Sequence, residues 1–247
     1  MKTNSVFGQK GILALLNSVR PWTMATMSKV RIGNDCDGGY VLPAIALECD
    51  AVVSIGIGGD VSFDLVLAQR GACVLQFDHT VDGPPQQHPG FQFQKLGWGP
   101  KTEGSFINFK DIHTQLMALK PKHALLKFDI EGAEFDALKV TRTEHLASFD
   151  VICCEIHNLE QLGTRQFFEK VNTCFSKLTA NHIPVHLHAN NYSNLILVEG
   201  IPIPRVLELS FLRKDLDYFR GLSADPIPGP LDRPNNPHAT DFCLNPF

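Results

Sequence analysis

The chain has no excess of positive charge: Lys and Arg total 22 against 26 Asp and Glu, a formal net charge of −4. Without a basic surface to neutralise phosphates, nucleic acid is not an expected partner, and no polybasic patch is available for an anionic membrane. None of the seven cysteines forms a C-x-x-C pair, and their spacing matches no metal-ligand pattern. Cys153 and Cys154 lie side by side in an apolar run and read as buried small hydrophobes, a usage typical of a reducing compartment. No apolar stretch is long enough to span a bilayer. Lys2 and Lys10 precede only Ile12–Leu16, too short a core for a good signal peptide. A soluble cytoplasmic protein is expected. Internal repeats and low-complexity linkers are absent as well. At 247 residues the chain fits a single α/β domain with a full core.

What is present is concentrated first in Ala51–Thr80, AVVSIGIGGDVSFDLVLAQRGACVLQFDHT. Ala51–Ile55 is a β-branched run and reads as a buried strand. Gly56, Gly58 and Gly59 make a turn of little bulk, Asp60–Gly71 has helical spacing, and Cys73–Phe77 is a second strand ending at Asp78. Strand, glycine turn, helix, strand and acid make a βαβ unit suited to an adenosine-bearing ligand. The glycines admit it to the backbone, and an acid about twenty residues on can accept from both ribose hydroxyls. A dinucleotide fingerprint needs a third glycine, but Ser62 and Phe63 stand there. Asp60 at the helix start would repel a pyrophosphate. S-adenosylmethionine (SAM), cationic and free of phosphate, suits these carboxylates better. A packed βαβ unit with no ligand is the plainer alternative.

The remaining elements follow in order. Gly8–Val19 has helical spacing and ends at Arg20-Pro21. Val30–Leu42, VRIGNDCDGGYVL, reads as a β-hairpin. Its Asp37–Tyr40 turn either closes over a ligand or is a plain turn. Asp82–Gly90 is a loop by composition, Phe91–Leu96 a third strand, and Ile107–Leu119 a helix stopped at Lys120-Pro121. Trp98, between glycines at a strand end, is a candidate to stack on adenine. Ala124–Ile130 is apolar on both faces, as in the middle of a parallel sheet, yet is bordered by Asp129, Glu131 and Glu134. Val151–His157 repeats this with Glu155 and His157. Thr164–Leu178 is a helix, and Val185–Asn191 a strand carrying His186 and His188. Pro204–Arg213 follows a loop too short for a crossover helix, so its pairing is antiparallel. The expected fold is a seven-stranded, mostly parallel sheet in a three-layer αβα arrangement with a C-terminal antiparallel hairpin. It forms one domain over 1–247: lead-in helix and hairpin in 1–45, core sheet in 46–215, irregular tail in 216–247.

LLKFDIEGAEFDAL (Leu125–Leu138) resembles the K-x-D-x-E-G-x-E signature of FkbM-type SAM-dependent methyltransferases, a class I, Rossmann-like family. The R-x-G-x-x-x-DGGY segment (Arg31–Tyr40) and LELSFLRKD (Leu207–Asp215) are similar to a related methyltransferase-like branch. The resemblance implies methyl transfer, usually to an oxygen, on a sugar, lipid or other small-molecule acceptor. In place of the family's D-x-G-A-N-x-G stands Ser54-Ile55-Gly56-Ile57-Gly58-Gly59-Asp60. Its usual first acid is Ser54, which leaves Asp60 as a substitute.

These readings assign Gly56, Gly58, Gly59, Asp60, Asp78 and Asp129 to the cofactor. An acceptor hydroxyl must lose its proton, for which a histidine is the expected base. His157 is preferred, oriented by Glu155 or Asp129, with His188 as second candidate. Alternatively Asp129, Glu155, His157 and His188 hold a divalent ion, Mg²⁺ or Mn²⁺, that lowers the hydroxyl pKa. Glu131 and Glu134 either face the site or favour the following helix N-terminus; Lys127 forms a local salt bridge; His182 and His186 are structural. Two other functions stay open. One is a nicotinamide-dependent oxidoreductase, and the other a degenerate methyltransferase fold acting as a binding module.

Overall fold

A computed structural model describes residues 7–244. Its centre is a seven-stranded sheet built from β1 (Ala51–Ile55), β2 (Cys73–Phe77), β3 (Phe91–Gln94), β4 (Ala124–Phe128), β5 (Val151–Ile156), β6 (His182–Ala189) and β7 (Leu207–Arg213). The spatial order is 3-2-1-4-5-7-6. Strands β3, β2, β1, β4 and β5 pair in parallel, and β7 runs antiparallel to both β5 and β6. This is the Rossmann-like methyltransferase layout expected from the sequence. The last strand enters between its two predecessors instead of extending the edge. Residues of β1, β4 and β5 are buried on both faces, which explains their unbroken apolar runs.

The two faces are covered unequally. On one lie α1 (Gln9–Asn17), α3 (Phe109–Ala118), α4 (Glu134–Val140), α5 (Thr143–Leu146) and α6 (Arg165–Asn181). α6 begins where the Thr164 hydroxyl accepts from the Phe167 N–H. It turns Phe168, Val171, Phe175 and Leu178 inward at three- and four-residue intervals. Among the described residues the other face carries one α-helix, α2 (Ser62–Gln69), and a short 3-10 turn over Ala44–Glu48, since β2 reaches β3 through residues 78–90 with no helix between. The N-terminal hairpin fills the rest of that face. Lys29–Ile32 and Tyr40–Pro43 pair antiparallel, and Ile32, Tyr40 and Leu42 pack with Phe63, Leu67, Leu125 and Val151. Ser210 Oγ donates to the Val41 carbonyl at 2.7 Å, joining hairpin to sheet.

The expected elements are present with shifted ends. The helix over 107–119 starts at Phe109 because Asn108 caps it, accepting from Asp111 N. The expected strand over 185–191 starts earlier, at His182. Short pairs went unanticipated: Gly97–Trp98 with Phe106–Ile107, and Ile196–Val198 with Ile201–Ile203. Within the tail expected to be irregular from 216, Phe219–Leu222 is a strand pairing with Trp22–Met24. Partners nearly two hundred residues apart leave no local signal. Among the described residues no helix is long and apolar enough to cross a membrane.

Candidate functional site

Strand register places the site. Gln76, Ser54, Lys127, Cys153 and Ser210 align across β2, β1, β4, β5 and β7. Two residues further on, the same face presents Asp78, Gly56, Asp129, Glu155 and Glu208. Because side chains alternate along a strand, one face of the sheet's carboxyl edge carries all these groups. A cleft of about 420 Å³ opens there, lined by the glycine turn, Asp78, Lys127, Asp129 and the hairpin residues Asp37, Gly38 and Tyr40. It lies at the carboxyl ends of the strands, where open α/β sheets bind their ligands.

The glycine turn is shaped by two contacts. Gly56 has φ 77°, and a Cβ on it would lie 1.8 Å from the Asp129 carbonyl oxygen. β1 and β4 therefore approach each other through a position only glycine can fill. Beyond it, Asp78 Oδ2 accepts from the Ile57 and Gly58 N–H groups, both at 3.0 Å. Its Oδ1 accepts from Thr80 N at 2.7 Å and Thr80 Oγ1 at 2.6 Å. Burial pushes this carboxyl up, but the four donors outweigh it and hold it below its ordinary range. All four lone-pair positions are thus taken, so Asp78 organises the turn, and a ribose hydroxyl would have to exchange with one of its donors. Gly58 and Gly59 have open space where a Cβ would stand, leaving the turn accessible. Asp60 lines the cleft but is tied to Ser62 N and Oγ and to Asn34 Nδ2 at 2.8–3.0 Å. It locks the hairpin turn onto the start of α2.

Lys127 makes no salt bridge among the described residues; its Nζ donates to the Gly56 carbonyl at 2.6 Å. This corrects the expected local ion pair and adds a third restraint on the turn. Trp98 is also corrected. The residue is 2% exposed and packs against Phe109 and Phe128, with ring centroids at 5.0 and 5.4 Å, so it belongs to the core and offers no exposed ring to a base. Trp98 reaches the cleft only as part of its floor, and the exposed Phe106 and its neighbour His79 line the cleft beside it; sequence reading passed over both, since neither stands in a recognisable motif.

Asp129, Glu155 and His157 converge, each offering a ligand atom within 4.8 Å of the others. His157 Nε2 is 3.4 Å from Asp129, 3.5 Å from Glu131 and 3.6 Å from Glu155. The orienting acid is Glu134, not the expected Glu155 or Asp129. Its Oε1 accepts from His157 N at 2.9 Å and faces Nδ1 at 3.3 Å, and its Oε2 accepts from Gly132 N. Burial lowers the His157 pKa, but the Glu134 hydrogen bond and the surrounding carboxylates raise it overall. Burial, then the charges of Asp129, Glu208 and Asp37, push Glu155 well up, while Tyr40 Oη donates to it at 3.1 Å. Asp129 Oδ1 is buried with no hydrogen-bond partner. Glu131 and Asn158 adopt φ 55° and 60°, backbone strain in the two loops that shape the cluster.

His188 does not join this group. Its Nδ1 faces Glu208 at 3.1 Å and its Nε2 faces Asp241 at 3.0 Å. Both ring nitrogens are engaged in a buried bridge between β6, β7 and the C-terminal segment, which corrects its assignment as base or metal ligand. The expected structural roles of His182 and His186 agree with their bonds to the Phe149 carbonyl and Asp232.

Gly56→Ala should destabilise the fold by about 3 kcal/mol through strain and clash. Gly58→Ala, with open space but positive φ, should cost about 1 kcal/mol; urea denaturation measures both. Burial depresses the His188 pKa, but Asp241 and Glu208 raise it to about 10, above an unfolded value near 6.5. Its contribution is therefore complete below about pH 6.5 and fades as pH rises toward 10. The unfolding free energy should fall across that window, and less steeply in His188→Gln.

No protein-family model matches the chain, and no curated protein does. Among solved structures, the chain is similar to one from Streptococcus mutans assigned as a SAM-dependent methyltransferase (11% identity, TM-score 0.37, 66% of this chain and 44% of that one). It is also similar to one from Streptococcus thermophilus assigned as a hemolysin (13%, 0.39, 67% and 59%), and to a chain of a fibrillarin/Nop5p complex (9%, 0.38, 78% and 98%). The chain thus spans about half the length of the two streptococcal proteins. At such scores the fold assignment rests on the strand order itself: a Rossmann-like methyltransferase sheet.

Proposed function

We propose that this protein is a SAM-dependent methyltransferase that methylates a hydroxyl oxygen on a small-molecule, sugar or lipid-like acceptor. The observation that carries the reading is the cleft at the carboxyl edge of β1, β2 and β4. An open glycine turn and Asp78 line it, and so does Asp129, through which the cleft meets the Asp129–Glu155–His157 cluster. The cleft's volume is that of a small-molecule site, and its acidic rim suits a ligand with a sulfonium and an amine. Gly56, Gly58, Gly59 and Asp78 would hold the adenosine part, with Asp60 and Asp129 toward the methionine end. Bound SAM supplies an electrophilic methyl group. This chain's residues position the acceptor oxygen and take its proton, which goes to His157 Nε2.

The cluster also fits a divalent cation. Asp129 Oδ1 is an orphaned buried acceptor, and the like charges crowding Glu155 are what a cation would relieve. Asp129, Glu155 and His157 would hold it, and it would lower the acceptor hydroxyl pKa. One imidazole among carboxylates inclines the choice from Mg²⁺ toward Mn²⁺.

Calorimetry with S-adenosylhomocysteine should give saturable heat, weakened at least tenfold in Asp78→Ala, a difference of about 1.4 kcal/mol. Heat with NAD(H) instead, or none with either, would overturn the assignment. His157→Gln should keep S-adenosylhomocysteine affinity and abolish methyl transfer to a responsive acceptor. If EDTA-treated protein retains full activity, the metal is removed from the scheme and His157 remains as the base.

A further inference from the structure

A second, larger cleft of about 800 Å³ lies on the hairpin face, where the C-terminal segment passes over β6 and the start of the hairpin. Its walls are mostly apolar, with Val41, Leu187, Ile227 and Leu231 among them. Two cations also line it, Arg20 and Lys29. Neither side chain makes a hydrogen bond or salt bridge among the described residues, whereas Arg220 and Arg233, on the same C-terminal segment, donate to the Ala25, Pro230 and Asp232 carbonyls. A half-buried cation without a partner beside apolar walls is costly unless something else compensates it.

The acids nearby do not supply that compensation. Asp232 is taken up by His186 Nε2 at 2.7 Å and by Gly229 N. Asp225 lines the cleft without making an ion pair with either cation. Desolvation lowers the Lys29 pKa despite the attraction of both aspartates, so burial outweighs all the negative charge facing it. His186 is likewise lowered, by burial first, with its bond to Asp232 opposing, and brings no third positive charge at neutral pH.

We infer that this cleft is a second binding site, taking an amphipathic anion: a small molecule with an apolar body and one carboxylate or phosphate, its anionic group on Arg20 and Lys29 and its body along Val41, Leu187 and Ile227. The site is separate from the methyl-transfer cleft and does not rest on that assignment. The two share only the hairpin strand, which turns Tyr40 into one and Val41 into the other.

The test uses octanoate as probe, with octanamide as its neutral match and inorganic phosphate as the bare anion. Titration calorimetry on the full chain should show saturable octanoate binding, at least tenfold tighter than octanamide and than phosphate. Arg20→Gln and Lys29→Gln should each weaken octanoate about tenfold and leave octanamide unchanged. Ala224→Trp, which fills the cleft from an exposed position and leaves both cations in place, should abolish octanoate binding. S-adenosylhomocysteine affinity should not change in any of them, which separates this site from the other cleft. Equal binding of octanoate and octanamide, no saturable octanoate binding, phosphate binding as tight as octanoate, or wild-type affinity in folded Ala224→Trp would each overturn the proposal.

Discussion

The carboxyl edge of the central sheet depends on one close approach, that of β1 and β4 through Gly56. The Asp129 carbonyl occupies the space where any side chain at position 56 would begin. This lets the chain leave β1 in a left-handed turn and present Ile57 and Gly58 N–H groups to Asp78. Lys127 fastens the turn from below through the Gly56 carbonyl. Strand spacing, the path of the turn and the position of Asp129 are therefore settled together. A change at any of these residues moves the cleft wall and the acid cluster at once.

Around that point the molecule concentrates negative charge in a buried place. Asp37, Asp129, Glu155 and Glu208 lie near enough for their charges to act on one another. Local donors carry part of the load: Tyr40 on Glu155, Asn235 on Asp37 and Glu208, and His188 between Glu208 and Asp241. The C-terminal segment is thus a source of neutralising contacts for the far half of the edge. The Asp129–Glu155–His157 half receives less. The proposed roles of this end draw on that imbalance, since charge left uncompensated in a buried cluster is available to a cation, a proton or a polar substrate.

The hairpin in the place of helices has a functional consequence. A helix over β5 and β7 would present its side chains to the sheet and its polar backbone to itself. The hairpin instead brings a loop, residues 33–39, to the mouth of the cleft, with Gly38 packed against Asp60. The Asp37–Tyr40 turn, read from sequence as either a ligand cover or a plain turn, lines the cleft; Asp37 accepts from Asn235 of the C-terminal segment, and Asn34 just before the turn bonds Asp60. Tyr40 thereby reaches Glu155, 115 residues away in sequence.

Local sequence was sufficient for the seven strands of the central sheet and for their order along the chain. Each central strand is an apolar run stopped by acids or glycines, and a chain of such runs separated by helical spacing admits few topologies. The convergence of Asp129 with His157 was legible for the same reason: both follow buried strands at the same edge. Partnership was decided only by the tertiary structure. Glu134 and not Glu155 orients His157, His188 belongs to Glu208 and Asp241, and Trp98 is core. In each case the residue type allowed several partners, and burial selected among them. A charged or polar group taken out of water keeps whichever neighbour can satisfy it, and that neighbour comes from an element whose distance in sequence carries no signal.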